Sequence, residues 1–232
     1  MVASYMGEGA VTLVNLARKL INIPLVALMS LNQVLLSKMS KQHHSSRILV
    51  LKQGLNITTV ITLSAAVGFI CSSTALVDLL LPKGLSDTAL PLLLAWMATT
   101  IVFASWNALL ARYQYAAGDT KTPLRYELTG SAVNAVGLVA FTQVFGLIGI
   151  PMAALIGILV TGVLLFIKIP KSSISMMKVY SVCGAILLVS FTFIYPSEFF
   201  ISSPITRVLF AAVISTFCFL MFLIWLKPWK ES

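Results

Sequence analysis

Charge is what this sequence has least of. Charged residues make up 10% of the 232 positions, against about 25% in an ordinary soluble domain. Only seven are acidic. Asp78, Asp87, Asp119, Glu198 and Glu231 fall at segment ends or in loops, so no carboxylate pair lies deep in an apolar stretch. That excludes an intramembrane aspartyl protease, and a carboxylate proton relay carried by this chain alone. Histidine is confined to the adjacent His43 and His44, in a basic, Ser-rich loop that offers a metal no further ligands. The cysteines Cys71, Cys183 and Cys218 stand singly inside apolar segments, where they read as small buried hydrophobes rather than a zinc or redox pair. The chain therefore carries no catalytic constellation, no metal set and no cofactor motif, and an enzyme is not expected. Repeats, low-complexity linkers and a soluble domain are absent too. Residues 1–9 lack the basic stretch that opens a secretory leader; the first positive charges, Arg18 and Lys19, already lie in an apolar segment.

What the sequence has in excess is apolar length. Hydrophobic residues reach 59%, and a soluble fold of that composition would aggregate. Crossing a ~30 Å hydrocarbon core takes about 20 apolar residues in a helix. Seven segments qualify, at about 10–37, 54–81, 89–111, 127–147, 149–168, 178–195 and 205–226. They are continuously apolar rather than alternating, which favours helices over barrel strands. The expected fold is all-α: a polytopic membrane bundle of about seven transmembrane helices with short loops.

A formal net charge of +9 invites a nucleic-acid reading, but its distribution resolves into topology. Lys38, Lys41, Arg47 and Lys52 flank the first loop. Arg112, Lys121 and Arg125 flank the third, Lys168, Lys171 and Lys178 the fifth, and Lys227 and Lys230 lie in the tail. The intervening loops offer only Lys83 and Arg207. By the positive-inside rule the N-terminus is outside and the C-terminus cytoplasmic. The partners this charge fits are anionic lipid headgroups, not nucleic acid.

The first segment is the informative one, because polar residues are costly in a spanning helix and face a protein interior or a wet cavity. Asn15, Arg18, Lys19, Asn22, Ser30 and Gln33 fall on one stripe at 100° per residue, with Pro24 on the opposite side. Two readings fit: cations snorkelling to the interface while the amides bond neighbouring helices, or a stripe lining a hydrophilic cavity that attracts an anionic group such as phosphate. The polar run spans the whole helix, which favours the cavity. Trp96, Thr99, Thr100 and Asn107 form a weaker stripe on the third segment, and Asn134 stands alone in the fourth; packing explains these at least as well.

The loop after the third segment reads Ala117-Gly118-Asp119-Thr120-Lys121-Thr122-Pro123. Gly118 permits a turn, Asp119 or Thr120 can cap the next helix, and Pro123 suits its first turn. With its flanks, LLARYQYAAGDTKTPLR from Leu109 to Arg125, it resembles the MurJ/MviN lipid II flippases of the multidrug, oligosaccharidyl-lipid and polysaccharide exporter group. Gly9 to Ser40, with its small-residue start, charged pair and following proline, looks like that family's eighth helix.

The resemblance covers the whole chain and implies helices eight to fourteen of a fourteen-helix flippase. Residues 1–170 would be a partial C-terminal lobe of five helices, and 171–232 two additional helices forming a lipid-tail groove. The implied activity is moving lipid II, a lipid-linked peptidoglycan precursor, from the cytoplasmic to the outer leaflet of the bacterial inner membrane by alternating access. By that resemblance Arg18 and Lys19 contact the pyrophosphate-sugar head and Asn15, Asn22 and Gln33 line the path. Asp119, Thr120, Lys121, Thr122 and Pro123 form the cytoplasmic loop motif. The partners implied are a polyprenyl-linked glycan, membrane lipids, and a missing N-terminal lobe or second copy. One departure stands out: the family's Asp-Arg pair is Arg18-Lys19 here, which keeps a cation at Lys19 without the bidentate fork. That leaves room for another polyprenyl-linked polysaccharide as substrate, or for a non-transporting half-transporter acting as a scaffold. A retinal protein is disfavoured, since its last helix would need a mid-span lysine and Lys227 lies at the end.

Overall fold

The computed structural model describes residues 10–41, 44–80, 89–169, 174–192 and 203–226. Lys83, Asp87, Lys171, Glu198, Lys227, Lys230, Glu231 and His43 lie outside these residues, and so do the side chains of Pro24, Ser30, His44 and Lys178. The described residues are helical throughout: α1 (Ala10–Ser40), α2 (His44–Cys71), α3 (Ser73–Leu80), α4 (Leu90–Ala116), α5 (Lys121–Phe145), α6 (Gly149–Ile167), α7 (Ile174–Phe191) and α8 (Pro204–Leu226). A 3₁₀ turn over Gly146–Ile148 joins α5 to α6. Four continuous helical stretches, Ser46–Cys71, Leu90–Ala116, Lys121–Ile167 and Pro204–Leu226, are long and apolar enough to cross a membrane, the third holding both α5 and α6.

The expected segments map one to one onto these helices, with α2 and α3 together forming the second. The largest difference is there: the apolar count starts it near 54, whereas α2 begins at His44. Arg47 and Lys52 lie within this extra length, and Arg47 donates from Nε to the Met39 carbonyl 3.2 Å away, closing the corner with α1. Helices whose ends leave the hydrocarbon continue through polar residues that a hydropathy count discards. The same extension places Lys121 and Arg125 inside α5 and carries α4 on to Ala116.

α2 and α4 form the centre of the bundle, α2 touching α1, α7 and α8 and α4 touching α1, α3 and α6. Three hydroxyls of α2 are hidden on its own backbone, while that of Thr58 is buried without a partner. Thr59, Thr62 and Ser64 donate to the carbonyls of Leu55, Thr58 and Val60, four residues back, at 2.7–2.8 Å. The core between α2 and α4 is closed by Trp106, fully buried, whose indole N–H donates to Thr59 Oγ1 at 2.8 Å. α8 lies antiparallel on α2. Ser215 Oγ donates to the Ser64 carbonyl at 2.7 Å, and Asn56 Nδ2 donates to the orphan carbonyl of Leu226 at 3.3 Å.

α5 and α6 form a hairpin held by close backbone approach. A Cβ on Gly157 would stand 2.6 Å from the Gly130 carbonyl oxygen and 2.8 Å from Asn134 Cβ, so only glycine fits. α5 packs almost entirely on α6 and touches α4 lightly.

Candidate functional site

Two opposite faces of α1 have different fates. Val14, Ala17, Ile21, Leu35 and Met39 are buried against the bundle. Asn15, Arg18, Lys19, Asn22 and Gln33 are all exposed. At 100° per residue these five fall within an arc of about 100°, and they extend about 27 Å along the axis, close to the full hydrocarbon thickness. Exposed to lipid near a helix centre, an Arg or Lys costs about 2.5–3.5 kcal/mol. Two adjacent cations on such a face are sustained by water, a partner surface or an anion. Arg18 brings a planar fork of donors and Lys19 a compact charge, a pair suited to phosphate oxygens.

The Asp119 loop forms its own hydrogen-bonded turn. Gly118 takes φ +86°, which a side chain would strain. The Asp119 carboxylate, not Thr120, caps α5: its Oδ1 accepts the Thr122 N–H at 3.0 Å, while Thr120 at the N-cap makes no side-chain cap bond. Hydrogen bonds from the Thr122 side chain and then its backbone hold the Asp119 carboxyl below the usual carboxylate range. Lys121 is exposed and Pro123 is buried in the first turn. Among the described residues no hydrogen bond links this turn to the α1 stripe.

The residues left between packing and lining separate cleanly. Thr99 and Thr100 donate to Ala95 and Met97 carbonyls of their own helix, at 3.2 and 2.6 Å. Trp96 packs on Phe191 of α7 with ring centroids 5.1 Å apart. Asn107 packs and lines at once. Its Nδ2 donates to the Ile158 carbonyl at 2.7 Å, while its Oδ1 is buried without a partner, as is Oδ1 of Asn134. Both line a cleft of about 400 Å³ between α4, α5 and α6, with Glu127, Ser131 and Thr161. Glu127 is the residue sequence reasoning passed over. Placed at 127, the expected helix start made it a flank, whereas α5 begins at Lys121 and puts it well inside the helix.

The three cysteines are buried and free. Among the described residues no group of three or more His, Cys, Asp or Glu is placed to hold a metal. Between α7 and α8 an apolar pocket of about 620 Å³ is lined by Val182, Met221, Phe222, Ile224 and Trp225.

Comparison with known proteins identifies the scaffold. The family profile described as "Lipid II flippase MurJ" matches residues 1–226. The lipid II flippase MurJ of Burkholderia cenocepacia is 28% identical over 183 residues, covering 75% of this chain and 35% of that protein. A solved structure titled "Lipid II flippase MurJ, inward closed conformation" superposes with a TM-score of 0.77 at 20% identity, over 99% of this chain and 50% of that one. The chain thus spans about half or less of the length of the relatives it matches. A multi-pass helical membrane bundle with these matches along nearly its whole length belongs to the lipid II flippase MurJ family.

Proposed function

We propose that this chain forms the C-terminal part of a flippase that carries a lipid-linked peptidoglycan precursor, lipid II, across the bacterial inner membrane by alternating access. The observation that carries the reading is the α1 face: five polar side chains, two of them cations, exposed along a spanning helix whose opposite face is buried. Arg18 and Lys19 hold the pyrophosphate of the head group, and Asn15, Asn22 and Gln33 offer amides along its path. Residues 1–170 act as five helices of a lobe. The segment 171–232 adds two helices whose apolar pocket takes the polyprenyl tail. Asp119, Thr120, Lys121, Thr122 and Pro123 set the angle of the cytoplasmic corner between α4 and α5. An N-out, C-in orientation is supported by two proximities: Arg47 at the start of α2 lies within electrostatic reach of Tyr113 near the end of α4, and Lys168 after α6 lies within reach of Asp119. Among the described residues, Arg47, Lys121, Arg125 and Lys168 thus fall toward one end. No bond is made or broken; transport needs a second lobe or a second copy to close the cavity.

The test is made in bacterial cells depleted of their own lipid II flippase and expressing this chain, reading how much labelled lipid II reaches the outer face. Restored exposure supports the reading. Absence of exposure from a correctly inserted chain, persisting when the complementary lobe is co-expressed, refutes it in favour of a different polyprenyl-linked glycan or a scaffold.

A further inference from the structure

α1 and α5 both rest on α4 and barely touch each other, which leaves a groove with α4 as its floor. At one end the groove is shut. Val14 and Ala17 of α1 meet Val77, Leu90 and Leu93 in an apolar plug, and Leu147 and Ile150 at the α5–α6 turn pack against it. Toward the basic end α1 has crossed to another side of α4, where Leu35 and Leu109 come together over Gly54. Between Leu93 and Leu109 the contact moves about 160° round α4 at 100° per residue, so the groove widens toward that end. There Ala104, Ala108 and Arg112 follow one another along the floor at single-turn spacing. Glu127 stands on the α5 wall, lining the same space as Ala104 and Ala108. Glu127 and Ser131 are exposed, so this wall is open to whatever enters the groove.

Two charges of opposite sign thus meet the groove without neutralising each other. The Arg112 guanidinium has its Nη1 buried without an acceptor. Side chains on a helix lean toward its N-terminus, which lays Arg112 over Ala108 and toward the Glu127 wall. Tyr115 lies within electrostatic reach of both, yet among the described residues no ion pair joins Arg112 to Glu127. Ionisable groups left unmatched in a spanning helix mark a site, and neighbouring charges of both signs suit a ligand that carries both.

Spacing along the bundle says how far that ligand reaches. From the basic ends of their helices, Arg112 lies about 6 Å in, Glu127 about 9 Å and Arg18 about 33 Å. Arg112 and Glu127 are therefore about 24–27 Å from the α1 cations along the axis. One sugar with an extended peptide of about five residues, at ~3.3–3.6 Å each, covers that distance.

We propose that Arg112 and Glu127 form a subsite for the peptide of the lipid-linked precursor. Glu127 takes the peptide's free ammonium and Arg112 its terminal carboxylate while the pyrophosphate lies on Arg18 and Lys19. The subsite rests on the flippase reading and adds what that reading leaves open: which feature of the head group, beyond its phosphates, the chain selects.

Equilibrium binding to the purified chain in phosphatidylcholine nanodiscs tests it with three probes. They are the polyprenyl pyrophosphate-linked sugar bearing its native peptide, the same molecule acetylated on the peptide amine, and the same molecule amidated at the peptide carboxyl. A partly exposed charge pair is worth a few-fold in affinity, so each modification should weaken binding about threefold or more. Glu127→Gln should erase the loss on acetylation and keep the loss on amidation. Arg112→Gln should do the reverse, and Arg18→Gln/Lys19→Gln should weaken all three probes alike. Equal binding of the three probes to the parent overturns the proposal, and so do losses that persist unchanged in both single variants. If the losses follow Glu127 and Arg112 as expected but no probe responds to Arg18→Gln/Lys19→Gln, the peptide subsite stands and the pyrophosphate assignment on α1 falls.

Discussion

Removing both cations from α1 separates binding chemistry from folding. Arg18 and Lys19 are exposed, so their attraction to a pyrophosphate is partly screened. At about 4 Å a unit pair contributes ~1 kcal/mol in bulk water and ~4 kcal/mol at the effective dielectric near a protein surface. The wet lower half of that range gives about 1–2 kcal/mol for each contact. Losing both costs about 2–4 kcal/mol, or roughly 30- to 900-fold in affinity. Arg18→Gln/Lys19→Gln removes two charges from a spanning helix, so insertion is no harder than in the parent. The assay is equilibrium binding of a polyprenyl pyrophosphate to the purified chain in phosphatidylcholine nanodiscs, repeated at rising salt. The parent's affinity should fall with salt and the double variant's should be weak and nearly flat. If the variant binds within threefold of the parent, or both share one salt slope, the head group does not sit on this face.

Three further outcomes follow from the packing. Gly157→Ala sets a methyl 2.6 Å from a backbone oxygen of α5; overpacking of this kind costs about 1–3 kcal/mol, and a thermal melt in detergent that does not fall would contradict the close approach. Trp106→Phe keeps an aromatic ring but loses the bond to Thr59 and leaves a void where the rest of the indole packed, a loss of about 1–3 kcal/mol, to be read from denaturant unfolding in micelles. The depressed Asp119 carboxyl gives the start of α5 additional support while ionised. That support is complete above the ordinary Asp value of about 3.9 and is lost as pH falls through the lower folded value. Amide exchange at Thr122, corrected for its intrinsic pH dependence, should therefore quicken at low pH in the parent and lose that dependence in Asp119→Asn, which still caps.

Much of the fold is legible because a membrane leaves few options: every apolar run of sufficient length became a helix. The polar stripe on α1 was legible for the same reason, since 100° spacing sorts Val14, Ala17 and Ile21 to one side and Asn15, Arg18 and Asn22 to the other. The ends were not, because helix hydrogen bonding continues past the hydrocarbon into residues such as Arg47 and Lys121 that hydropathy counts as loop. Glu127 was lost to that same error. The choice at Asp119 or Thr120 needed coordinates, since either side chain can cap and only the turn geometry at Gly118 decides between them. Asn107 shows a further limit: one side chain packs with its nitrogen and lines with its oxygen, and no spacing rule divides a residue.

The inward-turned hydroxyls of α2 set terms for every neighbour. Because Thr59, Thr62 and Ser64 donate to their own helix, a facing helix needs to bring volume of the right shape and is not required to supply an acceptor in return. At these three positions α2 thus asks its neighbours for volume rather than for a matching polar group, so apolar drift on a facing helix strands none of the three hydroxyls.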